Sequence, residues 1–196
     1  MKIAVIQMVS GSDVQVNLQR ARGLLEAAAK QGAELAVLPE YFCLMGQTDA
    51  DKLAIGEPFG SGPLQQFLSS SARDLGMWVV GGTLPLTDAG LGQGGSGKPK
   101  PDRVSNSSLV FSPDGAFFAR YNKIHLFRFD NGRERYDESL VLTAGQEPVS
   151  FDLPSKDGQI WRIGLSVCYD LRFAELYRFY AQAGAHLLLV PSAFTY

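Results

Sequence analysis

Short runs of branched apolar residues alternate along this chain with longer stretches in which apolar positions recur every three or four residues. Ile3 to Met8 is the first such run and reads as a buried strand. Ser12 and Asp13 offer N-caps to a helix. Val14, Leu18, Ala21, Leu25 and Ala28 then fall on one face of that helix, with Gly32 as its stop. Leu35 to Leu38 is a second strand, and strand, helix, strand in that order opens a parallel α/β layer. Leu64, Phe67, Leu68 and Leu75 predict a second helix after Gly62-Pro63, and Trp78 to Gly82 a third strand. Val104 to Phe111 and Ala116 to Tyr121 flank Ser112-Pro113-Asp114-Gly115, a turn sequence, so this pair is expected to be a hairpin. Gln159 to Val167 reads as a strand ending at Cys168. Leu171 to Ala183 reads as a helix with Leu171, Leu176 and Phe179 among its apolar residues, and His186 to Val190 as one more buried strand.

The segment 88–102 holds five glycines, Pro99 and Pro101. No helix follows it, so it is expected to be a surface loop between strands and not a phosphate-binding loop. No repeat of fixed period is present. A length of 196 residues suits a single domain, here taken as 1–196.

Composition narrows the function classes. Hydrophobic residues at 45% and charged residues at 19% fit a folded globular protein. A net charge of -2 and a pI near 5.7 argue against nucleic acid as a partner. Two cysteines, Cys43 and Cys168, cannot make a disulfide framework for a chain of this size, so a reducing cytoplasm is expected. The apolar run at the N-terminus is too short for a signal peptide. No stretch approaches the roughly 20 apolar residues of a membrane span.

Three polar side chains stand at predicted strand ends, where α/β proteins place their ligands. Cys168 lies where a strand gives way to a helix, whose first N–H groups favour a thiolate and later an oxyanion. A free thiol has a pKa near 8.5 and needs a base or a positive field to react at neutral pH. Glu40 directly follows Leu35-Ala36-Val37-Leu38 and sits among Pro39, Tyr41 and Phe42, surroundings that raise a carboxyl pKa and suit a general base. Lys123 precedes the apolar run Ile124-His125-Leu126-Phe127, where a lysine is either paired or snorkelling. Taken singly, each also has a bland reading: a structural thiol, a solvated loop glutamate, a snorkelling lysine. His125 reads as packing or as support for the site, and His186 as structural. Two scattered histidines make no metal site.

Together the segments Leu-Pro-Glu40-Tyr-Phe, Tyr-Asn-Lys123-Ile-His-Leu-Phe and Gly-Leu-Ser-Val-Cys168-Tyr-Asp-Leu-Arg-Phe resemble, in order and interval, the three signature segments of the nitrilase-like carbon–nitrogen hydrolases. The resemblance runs from Met1 to the last residue. It implies a four-layer α-β-β-α sandwich and a homodimer or higher homo-oligomer. It implies Cys168 as nucleophile, Glu40 as general base and Lys123 as oxyanion stabiliser together with the backbone N–H of Tyr169. Glu138 resembles the family's second glutamate, which holds the site and the substrate. No cofactor is implied.

Within the family, Lys123-Ile-His-Leu-Phe, Cys168-Tyr-Asp-Leu-Arg-Phe-Ala-Glu-Leu and Pro191-Ser-Ala-Phe are similar to the Nit-type amidases, the ω-amidases and deaminated-glutathione amidases. These hydrolyse small carboxylic monoamides, whose free carboxylate needs a cation. Arg172 is the candidate, or else a buried structural arginine paired with an acid such as Asp170. A nitrilase attacking a C≡N carbon with the same triad and a non-catalytic family member are the alternatives. The family continues past Pro-Ser-Ala-Phe, so the resemblance also implies a chain truncated at its C-terminus.

Overall fold

The computed structural model describes residues 1–48, 50–87 and 103–194. In chain order these form β1 (Ile3–Val5), α1 (Val14–Lys30), β2 (Leu35–Val37), α2 (Asp51–Ala54), β3 (Glu57–Pro58) and α3 (Pro63–Leu75). There follow β4 (Trp78–Val80), β5 (Leu84–Thr87), β6 (Val104–Phe111), β7 (Phe117–Asn122), β8 (Arg128–Asp130), β9 (Arg135–Asp137) and β10 (Leu142–Thr143). The last group is β11 (Ser150–Pro154), β12 (Ile160–Leu165), α4 (Ala174–Gln182) and β13 (Leu187–Leu189). The expected loop at 88–102 lies outside the described residues.

A large sheet runs β1-β2-β4-β6-β5-β3, with β7 and β10 also pairing with β6, and a second sheet runs β11-β12-β13. Strands β1, β2 and β4 are parallel, as the opening strand–helix–strand pattern requires. Alternation along the strands separates two cores. Ala36, Leu38, Val79, Leu109 and Phe111 face α1 and α3, meeting Ala21, Leu25, Leu68 and Ala72. Leu35, Val37, Val80, Val110 and Tyr121 face the other way, onto Phe151, Leu153, Ile163, Leu165 and Val167 of the second sheet. On the far side of that sheet lies α4, whose Tyr180 hydroxyl donates to the Leu165 carbonyl and accepts the Val149 N–H. Helices, sheet, sheet and helix therefore stack as the four expected layers.

Two expectations need correction. The helix does not begin at Leu171. Cys168–Arg172 is a tight 3-10 turn, Phe173 is extended, and α4 begins at Ala174. The cause is Asp170, whose carboxylate binds the Val167 N–H at 2.8 Å and pulls the chain into a turn before a helix can start. Nor are the first and last strands buried throughout: β1 and β13 are outer strands of their sheets, and Val5 and Leu188 are exposed.

Candidate active site

The ends of β2, β7 and β12 converge. Glu40 follows β2 after Leu38-Pro39, Lys123 follows β7 directly, and Cys168 stands in the turn after β12. Tyr41 and Cys168 are the two non-glycine residues with left-handed backbone among those described, at φ 55° and 46°. Such conformations cost about 1–3 kcal/mol each and cluster at functional sites. They persist here because hydrogen bonds fix both turns. The Tyr41 N–H donates to the Thr83 hydroxyl, and the Cys168 N–H to the Pro191 carbonyl. Gly82 makes the first turn possible by close approach: a Cβ there would clash with the Pro39 carbonyl oxygen.

Lys123 is buried between two carboxylates, its Nζ 3.1 Å from Glu40 Oε1 and 2.9 Å from Glu138 Oε2. Glu138 is fixed further by the Tyr41 hydroxyl at 2.9 Å and the Phe127 N–H at 2.7 Å. Glu40 also accepts the Asn106 amide on Oε1 at 3.0 Å and the Ala193 N–H on Oε2 at 2.9 Å. Cys168 lines the same cavity, and the Glu40 charge acts on its thiol.

Burial pushes the Glu40 carboxyl above the usual carboxylate range; Lys123 opposes this and Glu138 adds to it. Burial alone would lower the Lys123 pKa, but the two carboxylates outweigh it and the lysine is held charged. The Cys168 thiol is pushed up to about 11, by burial first and by the Glu40 charge second. The resting site is therefore a thiol near a carboxylate of raised basicity, an arrangement chemically able to pass a proton from sulfur to carboxylate.

The cavity around this pair has a volume of about 570 Å³. Glu40, Lys123, Glu138 and Cys168 form its polar floor, and Phe127, Tyr169, Leu171 and Phe194 line much of the remainder. Arg172 also lines it. It is exposed and forms no ion pair with a described residue, so the buried structural arginine is not what the chain builds. Asp170, the acid weighed as its partner, is fully buried and serves other groups: the Val167 N–H, the Tyr121 hydroxyl at 2.7 Å, and both the backbone N–H and ring Nδ1 of His125 at 2.9 and 2.7 Å. His125 stacks on Phe173 with ring centroids 3.6 Å apart, which is the packing and support expected of it. Cys43 is buried away from the cavity and its thiol is pushed up to about 12. Among the described residues no three His, Cys, Asp or Glu side chains converge to hold a metal ion.

The family model described as carbon-nitrogen hydrolase matches residues 2–196. The chain belongs to that family. It is 36% identical to the omega-amidase NIT2 of Bos taurus over 98% of its own length and 63% of that protein's. The chain thus spans less than two thirds of the length of these curated relatives. Among solved structures it is similar to Saccharomyces cerevisiae Nit3, a member of branch 10 of the nitrilase superfamily (31% identity, TM-score 0.77, 100% of this chain and 65% of that one). It is also similar to a mutant amidase from Nesterenkonia sp. AN1 that shows the result of Michael addition of acrylamide at the active site cysteine (27% identity, TM-score 0.78, 100% of this chain and 68% of that one). The nitrilase-type fold of this carbon–nitrogen hydrolase is accordingly shared with both.

The structure brings Glu40, Lys123, Cys168, Glu138, Tyr169 and Arg172 around one cavity. Sequence reasoning missed Asn106, the Ala193 N–H and the Tyr41 hydroxyl. Asn106 carries a signal, since Ser-Asn-Ser-Ser inside a wholly buried strand is too polar for a core without partners. The two others depend on backbone direction and turn geometry, which no local pattern encodes.

Proposed function

We propose that this carbon–nitrogen hydrolase cleaves the amide bond of small carboxylic monoamides through a thioester on Cys168. The observation that carries the reading is the Cys168 thiol sharing one cavity with a buried Glu40, itself paired with a charged Lys123. Glu40 takes the thiol proton as sulfur attacks the amide carbon. Lys123 Nζ and the Tyr169 N–H face the developing oxyanion, a type of donor worth about 2.7–4 kcal/mol each. The proton returns to the nitrogen, ammonia leaves, and the acyl group remains on sulfur. Water deprotonated by Glu40 then releases the carboxylic acid and regenerates the thiol. Glu138 holds Lys123 in place and meets the substrate.

Exposed Arg172 at the cavity suits the substrate's free carboxylate, bidentate recognition of which favours arginine. The names of the omega-amidase and amidase relatives support an amide as the scissile group, and the acrylamide adduct in the Nesterenkonia amidase supports a reactive cysteine. Two free thiols suit a reducing cytoplasm, and no helix among the described residues is long and apolar enough to cross a membrane. A homodimer belongs to the same proposal; sedimentation at twice 21.3 kDa supports it, and a monomer at every concentration removes it.

Ammonia release from a panel of monoamides and their matching nitriles tests the reaction. Monoamides are expected to be turned over, and monoamides lacking the carboxylate to suffer mainly in KM. Faster turnover of the nitriles would overturn the amidase reading.

A further inference from the structure

Asn106 lies on β6, the strand on which most of the large sheet converges, and it touches two members of the site at once. Its side-chain amide donates to Glu40 Oε1 at 3.0 Å, and its backbone carbonyl accepts the Lys123 N–H at 2.9 Å. The orientation of the amide is fixed by chemistry, because a carboxylate only accepts and the NH₂ end must face it. That leaves Asn106 Oδ1 buried with no hydrogen-bond partner among the described residues. A buried carbonyl without a partner weakens the fold, and an apolar side chain of similar size would avoid that cost. The asparagine is therefore explained by its NH₂ group and not by packing.

The role of that NH₂ group lies in the division of labour on Glu40. Oε1 accepts from Asn106 and Lys123, while the Ala193 N–H reaches Oε2. With Oε1 committed to two donors, the carboxylate cannot rotate about its terminal bond without losing both, and one edge stays turned to the cavity. We propose that Asn106 is a positioning residue, which holds the Glu40 carboxylate in the orientation and the ionised form that accept the Cys168 proton. This rests on the reading of Glu40 as the base. The other groups facing that carboxylate are Lys123 from the end of β7, Glu138 from the turn after β9, and Cys168 and the Ala193 N–H from the turns after β12 and β13. Of these, Lys123, the Ala193 N–H and the Cys168 thiol also favour the charged form, and Glu138 opposes it. Asn106 is the neutral side chain among the donors that takes no part in the proposed proton transfer, and so can be removed without changing the net charge of the site.

The test is Asn106→Leu in the whole chain, read by the pH dependence of Cys168 alkylation with iodoacetamide, followed by intact mass, and of kcat/KM on a monoamide. Alkylation needs no substrate, and buried Cys43 does not compete. With a charge-assisted donor gone, the acid limb of both profiles is expected to move up by about one pH unit, a tenfold change in the proton equilibrium. Turnover at pH 7 is expected to fall at least about tenfold, in kcat more than in KM. The urea midpoint is expected to be unchanged or higher, since the unpartnered carbonyl is gone. Should the leucine variant not fold, Asn106→Asp keeps the shape while replacing the donor by an acceptor, and the same upward shift is expected. Glu40→Gln serves as control: if it still alkylates and turns over normally, the base reading itself fails. If Glu40→Gln is dead while a folded Asn106 variant keeps the parent acid limb and rate, this inference alone is overturned.

Discussion

At the scale of single residues, charge burial sets what each substitution does. Cys168→Ala removes a small side chain, so turnover is expected to vanish while the denaturant midpoint stays near the parent's. Cys43→Ala removes a thiol from the helix-side core and is expected to cost about 1 kcal/mol with little loss of rate. Equal loss of activity from both would remove the special role of Cys168. Lys123→Ala differs from both, because it leaves Glu40 and Glu138 facing each other without a cation. Breaking a buried pair in this way costs about 3–5 kcal/mol, so lost rate and lost stability are expected together. The sign with pH comes from the raised Glu40 pKa. A carboxyl whose folded pKa lies above its unfolded value stabilises the fold at low pH, and that contribution is lost as pH rises through the folded pKa. Removing Lys123 raises that pKa further, so the deficit read by urea melts is expected to be larger at pH 8 than at pH 5. A deficit independent of pH would show that the lysine does not neutralise these acids.

At the scale of elements, two turns carry the site. Gly82→Ala forces a Cβ onto the Pro39 carbonyl and so displaces the turn that presents Glu40. The expected result is a loss of about 1–3 kcal/mol together with a fall in kcat. Asp170→Asn leaves one acceptor oxygen where four donors converge, and about 3 kcal/mol is expected to be lost in a denaturant titration. A neutral result for either would show that the turn holds itself.

These turns also mark the limit of what the sequence shows. The long periodic segments, α1 and α3, and the branched strands β2 and β4 are legible because burial on one face dictates their pattern. The turn at Cys168–Arg172 is not, because it is made by a carboxylate reaching to Val167 and across to β7. The β8–β9 ribbon was within reach, since Asn131-Gly132 with Gly132 at φ 80° is a strong hairpin signal. So was β11, whose Ser150–Pro154 alternates exposed and buried positions. Of the site, the ionisable members stand out by type and neighbourhood. Asn106, a neutral residue in a polar buried strand, does not.

At the scale of the whole molecule, the large sheet is shared by both cores, with Leu35 and Ala36 on its opposite faces. Residues 1–196 are therefore proposed to unfold as one domain. Fluorescence from Trp78 and Trp161, both near the inter-sheet core, is expected to melt together with the helical circular dichroism signal of α1 and α3. Two separated transitions would divide the domain. The central claim, that the residues gathered at the strand ends act through an acyl group on Cys168, is tested most directly by mass. The protein is saturated with a monoamide, quenched in acid during turnover, digested and weighed. One acyl group, the substrate less ammonia, is expected on the peptide bearing Cys168, and none in Cys168→Ala. Ammonia released at the parent rate with the acyl group on Cys43, or with Cys168 replaced, would contradict the claim.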